Sequence, residues 1–455
     1  MDQLAPPTTR TNSRFRRRAV RALAVAGAGA LLVSAMPGVA SAHGGGGGGK
    51  TWNVQPGQSI QAAVDQARSG DTIRIAAGTY NEAVCVEGKG LTIQGSGRDR
   101  TIIQWPDRTA EPTTGRSCWQ AQNDADLEDV DNDPGGPPDP LFDNVSGIFF
   151  LNPDKAVTVR DLQTKDHTAN GISAWGADGF TVTGTKGVGH DRYGILAGNS
   201  HNIHIVGNVE EGIDRAGPGQ APDSGTAGVS VGDSADSRAV IAGNRVRNYN
   251  LGIFLREASG GRVDGNHLSG NCVGVLVFDD ATTEIPGSPA NVEGGDWRIK
   301  GNVSQANNRW CLQGRAGDQR ISGVGMAVVN AANVRLTANV IKDNNPTIPP
   351  PAFIPPGQPP LTFPPGGLVL LSFAQPPGSD PNPDDDIPGL VTDVKVVANW
   401  FGDNRGFVPP TFQPGQMDIF VGQASPTNPF IIDPGPGLEF RANRCDASFP
   451  ADICG

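Results

Sequence analysis

The sequence lacks any long apolar run after its N-terminus, and it is short of basic residues. Its 36 Lys and Arg face 47 Asp and Glu, which gives a net charge of −11. A surface this acidic excludes recognition of nucleic acid through its phosphates, and it repels an anionic polysaccharide unless a local basic cleft or a bound cation reverses the field. Without a later apolar run of membrane length, the mature chain is predicted to contain no membrane span.

Cysteine is also scarce, but its count is even. The six cysteines are Cys85, Cys118, Cys272, Cys311, Cys445 and Cys454. An even number in an exported chain indicates disulfides rather than catalytic thiols. Pairing in sequence order is the simplest arrangement, and the other pairings stay open at this point.

The N-terminal segment is predicted to be a signal peptide covering residues 1–42. Six arginines precede an apolar run from Ala22 to Val33, and Ala40-Ser41-Ala42 offers small residues for cleavage. Both the general and the twin-arginine export routes remain open. Removal of this segment leaves 30 basic and 46 acidic residues, a net charge of −16, in a secreted protein with a Gly-rich leader at 43–50.

A repeated pair of signals runs along the rest of the chain. A Gly followed by an apolar residue precedes an Asn, Asp or Thr by fourteen positions, or by sixteen in one case. The pairs are Gly147 with Asp161, Gly171 with Thr185, Gly194 with Asn208, Gly228 with Asn244, Gly252 with Asn266, and Gly325 with Asn339. The glycines from 147 to 274 lie 24, 23, 34, 24 and 22 residues apart. This period predicts a stacked β-solenoid of roughly ten coils, which completes its core as a monomer.

The solenoid needs a cap at its first coil, because that coil would otherwise expose an apolar cross-section and an unpaired strand edge. Ser59 suits a helix N-cap, and Ile60, Ala63, Val64 and Ala67 fall on one helical face. Thr72-Ile73-Arg74-Ile75 then alternates as a strand after Gly70-Asp71.

Two stretches carry a family resemblance. The first runs from Ile60 through Gly70-Asp71-Thr72-Ile73 to Ala77-Gly78-Thr79-Tyr80, and the second is Asn443-Arg444-Cys445-Asp446 with Ser448, Pro450 and Cys454. With the Gly strands and Asn turns, they resemble the pectin-lyase-like superfamily of right-handed parallel β-helix proteins. The resemblance implies an all-β, single-stranded right-handed parallel β-helix with an N-terminal capping helix, spanning residues 51–455. It leaves activity open, because the fold hosts lyases, hydrolases, epimerases, adhesins and binding proteins.

The candidate catalytic residues lie close to two consecutive Gly markers. His167 and His190 each lie four positions before a marker, so we expect them at equivalent positions on adjacent coils, ~4.8 Å apart. Proton abstraction next to a uronate carboxylate needs a cation, a base and an acid. The candidates for these roles are His167, His190, Asp191, Arg192, Tyr193 and Arg215.

The resemblance bears on the same residues. Mannuronan epimerases and some lyases of this fold use His, Tyr, Asp and Arg on consecutive coils, and Asp166-His167 and His190–Gly194 are similar in composition. The epimerase motif Asp-Pro-His is not matched, because no Pro separates Asp166 from His167. The expected function is therefore polysaccharide lyase or epimerase chemistry. The alternatives are a noncatalytic glycan-binding or cell-surface protein, with the histidines as a structural ladder, and a glycoside hydrolase using Asp279-Asp280.

The spacing of acidic and histidine residues raises the question of a metal site at two places in the chain. Asp129, Asp131 and Asp133 have the alternating carboxylates of a calcium loop without the EF-hand pattern, so bound Ca²⁺ is one expectation and a solvated acidic loop is the other. His201 and His204 lie on one predicted strand, and strict alternation would place them on opposite faces, which argues against shared ligation.

Overall fold

The computed structural model describes most of the chain beyond its N-terminal segment. The described residues are 41–43, 49–110, 112, 116–122, 145–279, 294–313, 319–373, 390–409, 413–424 and 431–454. Within them, no helix is long and apolar enough to span a membrane.

The predicted capping helix is confirmed, and it covers Ile60–Gln66. The Ser59 hydroxyl accepts a hydrogen bond from the Ala62 backbone N–H at 3.1 Å. The Glu82 carboxylate accepts two further bonds, from the backbone N–H groups of Ile60 and Gln61, both at 3.0 Å. Hydroxyl and carboxylate together thus satisfy N–H groups that have no partner inside the helix.

Each coil passes through three strands, and each strand stacks in parallel on its counterpart in the next coil. We number the three resulting sheets in the order the chain meets them after a Gly marker. In one coil, Ile172–Trp175 belongs to sheet 1, Asp178–Thr183 to sheet 2 and Lys186–Val188 to sheet 3. One coil later, Ile172 pairs with Ile195, Asp178 with His201 and Lys186 with Val209. Each of these partners is 23 residues further along the chain. This is a parallel β-helix.

The strands of the three sheets have the following bounds. Sheet 1 comprises Val84–Glu87, Ile148–Leu151, Ile172–Trp175, Tyr193–Gly198, Ala227–Ser234, the first part of Leu251–Asp264, Val273–Phe278, Val324–Val329, Gly366–Phe373, Ile419–Val421 and Ser448–Phe449. Sheet 2 comprises Thr51–Val54, Thr72–Ile75, Thr92–Gln94, Val157–Arg160, Asp178–Thr183, His201–Val206, Ala239–Ala242, the last part of Leu251–Asp264, Gly295–Lys300, Arg335–Thr337, Lys395–Val397 and Glu439–Arg441. Sheet 3 comprises Gly78–Asn81, Thr101–Gln104, Gln163–Lys165, Lys186–Val188, Val209–Glu211, Arg245–Arg247, His267–Ser269, Val303–Gln305, Val340–Lys342 and Trp400–Gly402.

The remaining elements decorate this shaft. Ser41–His43 pairs antiparallel with Thr51–Val54, and Ile431–Ile432 pairs antiparallel with the end of Gly366–Phe373. Residues 117–122 are helical, and Pro351–Phe353 forms one 3₁₀ turn. Two hairpins complete the set: Trp310–Gln313 with Gln319–Ser322, and Arg405–Val408 with Gln413–Gln416.

The Asn signal marks the turn from sheet 2 to sheet 3. Each Asn side-chain oxygen there accepts from both the backbone N–H and the side-chain amide of the Asn one coil earlier, at 2.8–3.1 Å. The column begins at Thr185 and continues through Asn208, Asn244, Asn266, Asn302, Asn339, Asn399 and Asn443. The prediction for the first pair is wrong by one position: the register places Leu162, not Asp161, beneath Thr185.

The Gly signal has an equally direct cause. A Cβ on Gly171 would lie 2.6 Å from the His190 ring nitrogen Nε2 and 2.7 Å from the Thr164 hydroxyl. A side chain from the next coil fills this space, so only glycine fits at the marker. The same holds for Gly252, whose Cβ would lie 3.1 Å from the Asn271 amide nitrogen.

Candidate functional site

The predicted equivalence of the two histidines is confirmed, and their side chains lie inside the shaft. The rings of His167 and His190 stack with centroids 5.4 Å apart, and the two residues are 0% and 1% exposed. Nε2 of His190 lies 3.1 Å from the Thr164 hydroxyl, and Nε2 of His167 lies 3.3 Å from the Glu82 carbonyl oxygen. A polymer on the protein surface therefore does not contact either imidazole.

These rings belong to a set of inward side chains that we call the inner turn column, defined by packing against the sheet 1 glycines one coil earlier. Its members are His167, His190, Tyr249, Asn271, Asn307, Asn344 and Asn404, while Glu210 packs against Gly194 from the adjoining sheet 3 strand. Burial lowers the pKa of His167 to about 4 and lowers the pKa of His190 well below its usual value. Burial also raises the pKa of Glu210 well above its usual value. The two imidazoles are consequently neutral near pH 7, and burial favours the protonated form of Glu210.

Asp191 and Arg215 lie on the outside of the same turn, in an ion-pair network. Arg215 pairs with Asp166 and lies 3.5 Å from Asp191, and it also donates to the Gly189 carbonyl at 3.0 Å. Asp191 pairs in addition with Arg108. The Arg215 guanidinium thus already faces two carboxylates, which reduces its capacity to neutralise a uronate.

Arg192 and Tyr193 follow directly, where the chain enters sheet 1, and both are half-buried. Burial lowers the pKa of Arg192, and the nearby Tyr193 acts in the opposite direction. The six predicted residues are therefore split three ways: two inside the shaft, two in the outer network and two at the edge of sheet 1.

The outward face of sheet 1 is covered at both ends. At the N-terminal end, residues 117–122 are tied to the sheet by the Cys85–Cys118 disulfide, and Trp119 packs with Phe149 and Leu151. At the other end, the Trp310–Ser322 hairpin is tied by the Cys272–Cys311 disulfide and joins a larger apolar cluster. With Cys445–Cys454, all three disulfides follow sequence order, as predicted.

Between these covers lies what we call the middle segment of sheet 1. Its central column is Ser173, Leu196 and Ser230, and none of the three belongs to either apolar cluster. Beside it, the half-buried indole of Trp175 occupies the space above Gly198 where a Cβ would lie. The column that contains Trp175 and Gly198 continues with Gly232 and Arg256 on the next two coils.

The sequence interpretation did not single out the middle segment, although a signal was present. In a strand that starts at a Gly marker, the second and fourth following residues point outward. Those positions after Gly171 are Ser173 and Trp175. An outward Trp on a strand whose later counterparts are glycines indicates an open face.

The other predicted sites lie elsewhere. Asp129, Asp131 and Asp133 fall outside the described residues, as does Asp280, so the calcium loop stays a prediction. Asp279 is buried and accepts from the Gly294 N–H at 3.1 Å. Among the described residues, no group of three or more His, Cys, Asp or Glu is arranged to hold a metal.

The prediction for His201 and His204 is wrong in one respect. Both side chains are exposed, because Asn202 between them has φ +52° and breaks the alternation of the strand. The left-handed residue turns His201 outward, while Ile203 and Ile205 still point into the core.

Part of the chain matches a known protein family. Residues 170–348 match the family described as "Right handed beta helix region". Among solved structures, the periplasmic alginate epimerase AlgG is 14% identical with a TM-score of 0.42, covering 87% of this chain and 85% of its own. The catalytic domain of a GH87 alpha-1,3-glucanase in complex with nigerose is 13% identical with a TM-score of 0.39, covering 91% and 68%. No curated protein matches in sequence.

The family match and the stacked parallel strands together confirm the predicted fold. The chain is a right-handed parallel β-helix.

Proposed function

We propose that this chain is an exported polysaccharide-recognising protein that binds a glycan across the middle segment of sheet 1. The observation that carries the proposal is the half-buried Trp175 indole, which packs against the cluster around the Cys85–Cys118 disulfide and extends over Gly198 at the edge of that cover. Aromatic faces flanked by a few hydrogen-bonding groups are the usual composition of a sugar site. In the adjacent column Ser173 and Ser230 are only 1% and 2% exposed, so the half-buried Leu196 between them is the side chain that this column offers to a ligand.

Export is the setting this proposal requires. Three disulfides form and persist in oxidising compartments, and the predicted signal peptide at residues 1–42 would deliver the chain there. The register also suits an extended polymer, because parallel strands repeat the same surface once per coil, every ~4.8 Å.

The test compares two tryptophans on different faces. Trp175→Ala should weaken binding of the mature chain to its preferred polysaccharide by about tenfold or more, as loss of a central aromatic contact does. Trp400→Ala is the matched control, because Trp400 is 40% exposed on the outward side of sheet 3. A panel of neutral and anionic polysaccharides, read by isothermal titration, supplies the measurement. Equal affinities of both variants and the wild type would refute the site.

A second candidate function is lyase or epimerase chemistry at the edge of the same segment. Arg192 and Tyr193 are consecutive half-buried residues, and Tyr193 opposes the effect of burial on the pKa of Arg192. A guanidinium can neutralise a uronate carboxylate while a phenolate removes the neighbouring proton. In this arrangement His167 and His190 support the turn from inside, and Asp191 and Arg215 hold its outer side.

This activity is tested by incubating the protein with uronans and following the ultraviolet absorbance of unsaturated products, and separately the epimer ratio. Parallel assays with calcium and with chelator address the proposed Ca²⁺ loop at Asp129, Asp131 and Asp133. Activity lost in Arg192→Lys and Tyr193→Phe, but retained in Asp279→Asn, would establish elimination or epimerisation at this edge. Glycan binding without either product would leave the chain a noncatalytic binding protein.

A further inference from the structure

The outward face of sheet 2 carries four cations in a row. Arg262, Arg298, Arg335 and Lys395 are direct register partners on consecutive coils, and all four are exposed. We call them the cation column. Lys300, also exposed, lies beside Arg298 on the same face. The column stands out in a chain whose net charge is −11.

Local carboxylates neutralise this column only at its ends. Arg262 lies 3.6 Å from Asp264, and Lys395 lies 3.8 Å from Glu439. In the middle, Arg335 donates to the Thr337 hydroxyl at 3.3 Å. Within the described part of the chain, Arg298 has no carboxylate at ion-pair distance. Asp296 and Asp393 lie at the edge of this face, where Asp296 accepts a hydrogen bond from Asn333.

The fold does not require cations at these positions. The same outward column, followed back from Arg262, contains Val240 and His204 and then five threonines in the N-terminal coils, Thr181, Thr158, Thr92, Thr72 and Thr51. Threonine is neutral and β-branched, and it packs well on a strand surface. Like charges stacked directly opposite one another destabilise a sheet. The C-terminal coils therefore carry an electrostatic cost that the N-terminal coils avoid.

We propose that the cation column binds a linear anionic polysaccharide lying along the axis of the shaft, with one carboxylate or sulfate facing each coil. The cations repeat every ~4.8 Å, a distance close to the length of one sugar unit in an extended chain. Duplex nucleic acid instead places a charge every ~3.4 Å along each strand and meets long-range repulsion from this acidic protein. This surface lies on a different sheet from the middle segment and does not depend on it.

The experiment measures binding of the full mature chain to polygalacturonate, with its fully methyl-esterified form as the uncharged twin. Arg298→Glu with Arg335→Glu should weaken binding to polygalacturonate by about tenfold or more, and the affinity of the wild type should fall as salt rises. Arg160→Glu with Arg245→Glu is the matched control. It makes the same change in net charge at exposed arginines outside the column, and its affinity should stay within about twofold of the wild type.

Several outcomes would overturn the proposal. Equal losses in the two double variants would assign the effect to overall charge, and equal binding of the methyl ester would remove the role of the anion. Stronger displacement by duplex DNA than by a second uronan would assign the surface to nucleic acid. Loss of polygalacturonate binding in Trp175→Ala would place the anion on the middle segment instead. Thermal melts of each variant verify folding, so a loss of binding is read only from folded protein.

Discussion

The two halves of the inner turn column hold the same place in the fold with different chemistry. In the C-terminal half, the Asn307 side-chain oxygen accepts from the Asn271 amide, and the Asn307 amide donates to the Asn344 oxygen, both at 2.9 Å. In the N-terminal half, Nδ1 of His167 has no hydrogen-bond partner among the described residues, and neither do the two carboxyl oxygens of Glu210, which lies beside the column on sheet 3. The hydroxyl of Tyr249 also has none.

The difference shows why asparagine is the repeating solution for a turn inside a solenoid. An amide offers donors and an acceptor on a short side chain, so each member satisfies its neighbours on both sides. Imidazole and phenol groups differ in length and in hydrogen-bonding capacity, so a mixed column leaves buried polar atoms unpaired. The stability of the N-terminal half, with Glu210 beside it, consequently depends on pH, whereas the asparagine side chains of the other half do not titrate.

Breaking the amide half should give the largest effect. Asn307→Ala removes three side-chain hydrogen bonds of the column and one to the Ser304 hydroxyl, and it leaves the buried backbone N–H and side-chain amide of Asn271 without their acceptor. We expect a loss of about 3–5 kcal/mol in the free energy of unfolding, measured by urea denaturation. The control Asn81→Ala removes an exposed contact with Gln104 and should cost less than about 1 kcal/mol. Equal losses of unfolding free energy in the two variants would show that the hydrogen bonds of the column contribute little to stability.

The histidine half should respond to acid. Burial lowers the pKa of His167 to about 4 from 6.5, so the unfolded chain binds a proton between these values while the folded chain does not. The contribution of His167 to the free energy of unfolding is therefore fully present above pH 6.5. It decreases by roughly 3 kcal/mol as the pH drops toward 4. Replacing both histidines, as His167→Asn with His190→Asn, should flatten this fall. A slope unchanged in the variant would contradict the assignment.

Glu210 should give the opposite pH dependence. Its pKa is raised by burial above 4.5, so the folded protein keeps the proton that the unfolded chain releases. The contribution of Glu210 is present below pH 4.5 and is lost as the pH rises toward the folded-state pKa, by at most about 1.4 kcal/mol per pH unit. Glu210→Gln should remove this slope and stabilise the protein at pH 7. Glu211→Gln is the control, because the Glu211 carboxylate pairs with Arg247 at 2.8 Å on the surface. It should leave the pH dependence of stability unchanged.

The outer ion-pair network at the same turn should matter least to stability. Arg215→Ala removes pairs with Asp166 and Asp191 whose side chains are 22% and 31% exposed. We expect a change below about 1 kcal/mol that shrinks further in high salt. A loss of more than about 2 kcal/mol, independent of salt, would show that this network behaves like a buried one.

Much of the architecture follows from residues that can be read in order. The Gly markers and the Asn turns gave the coil period, Ser59 gave the helix start, and the six cysteines paired as sequence order suggested. The candidate site was harder to predict from the sequence than the architecture. His167 and His190 were correctly placed on adjacent coils, but their burial and their separation from Arg192 and Arg215 were not predicted.

The sequence by itself determined the parallel β-helix, because side-chain alternation and a 22–24-residue period are local and repetitive properties. Only the tertiary structure decided which turn residues point into the shaft, since turns do not alternate and one left-handed residue, as at Asn202, reverses a side chain. It also decided which parts of sheet 1 are covered, and it stacked Arg262, Arg298, Arg335 and Lys395. Those contacts join residues 33–60 positions apart, and the intervening loops vary in length, so spacing alone does not reveal them.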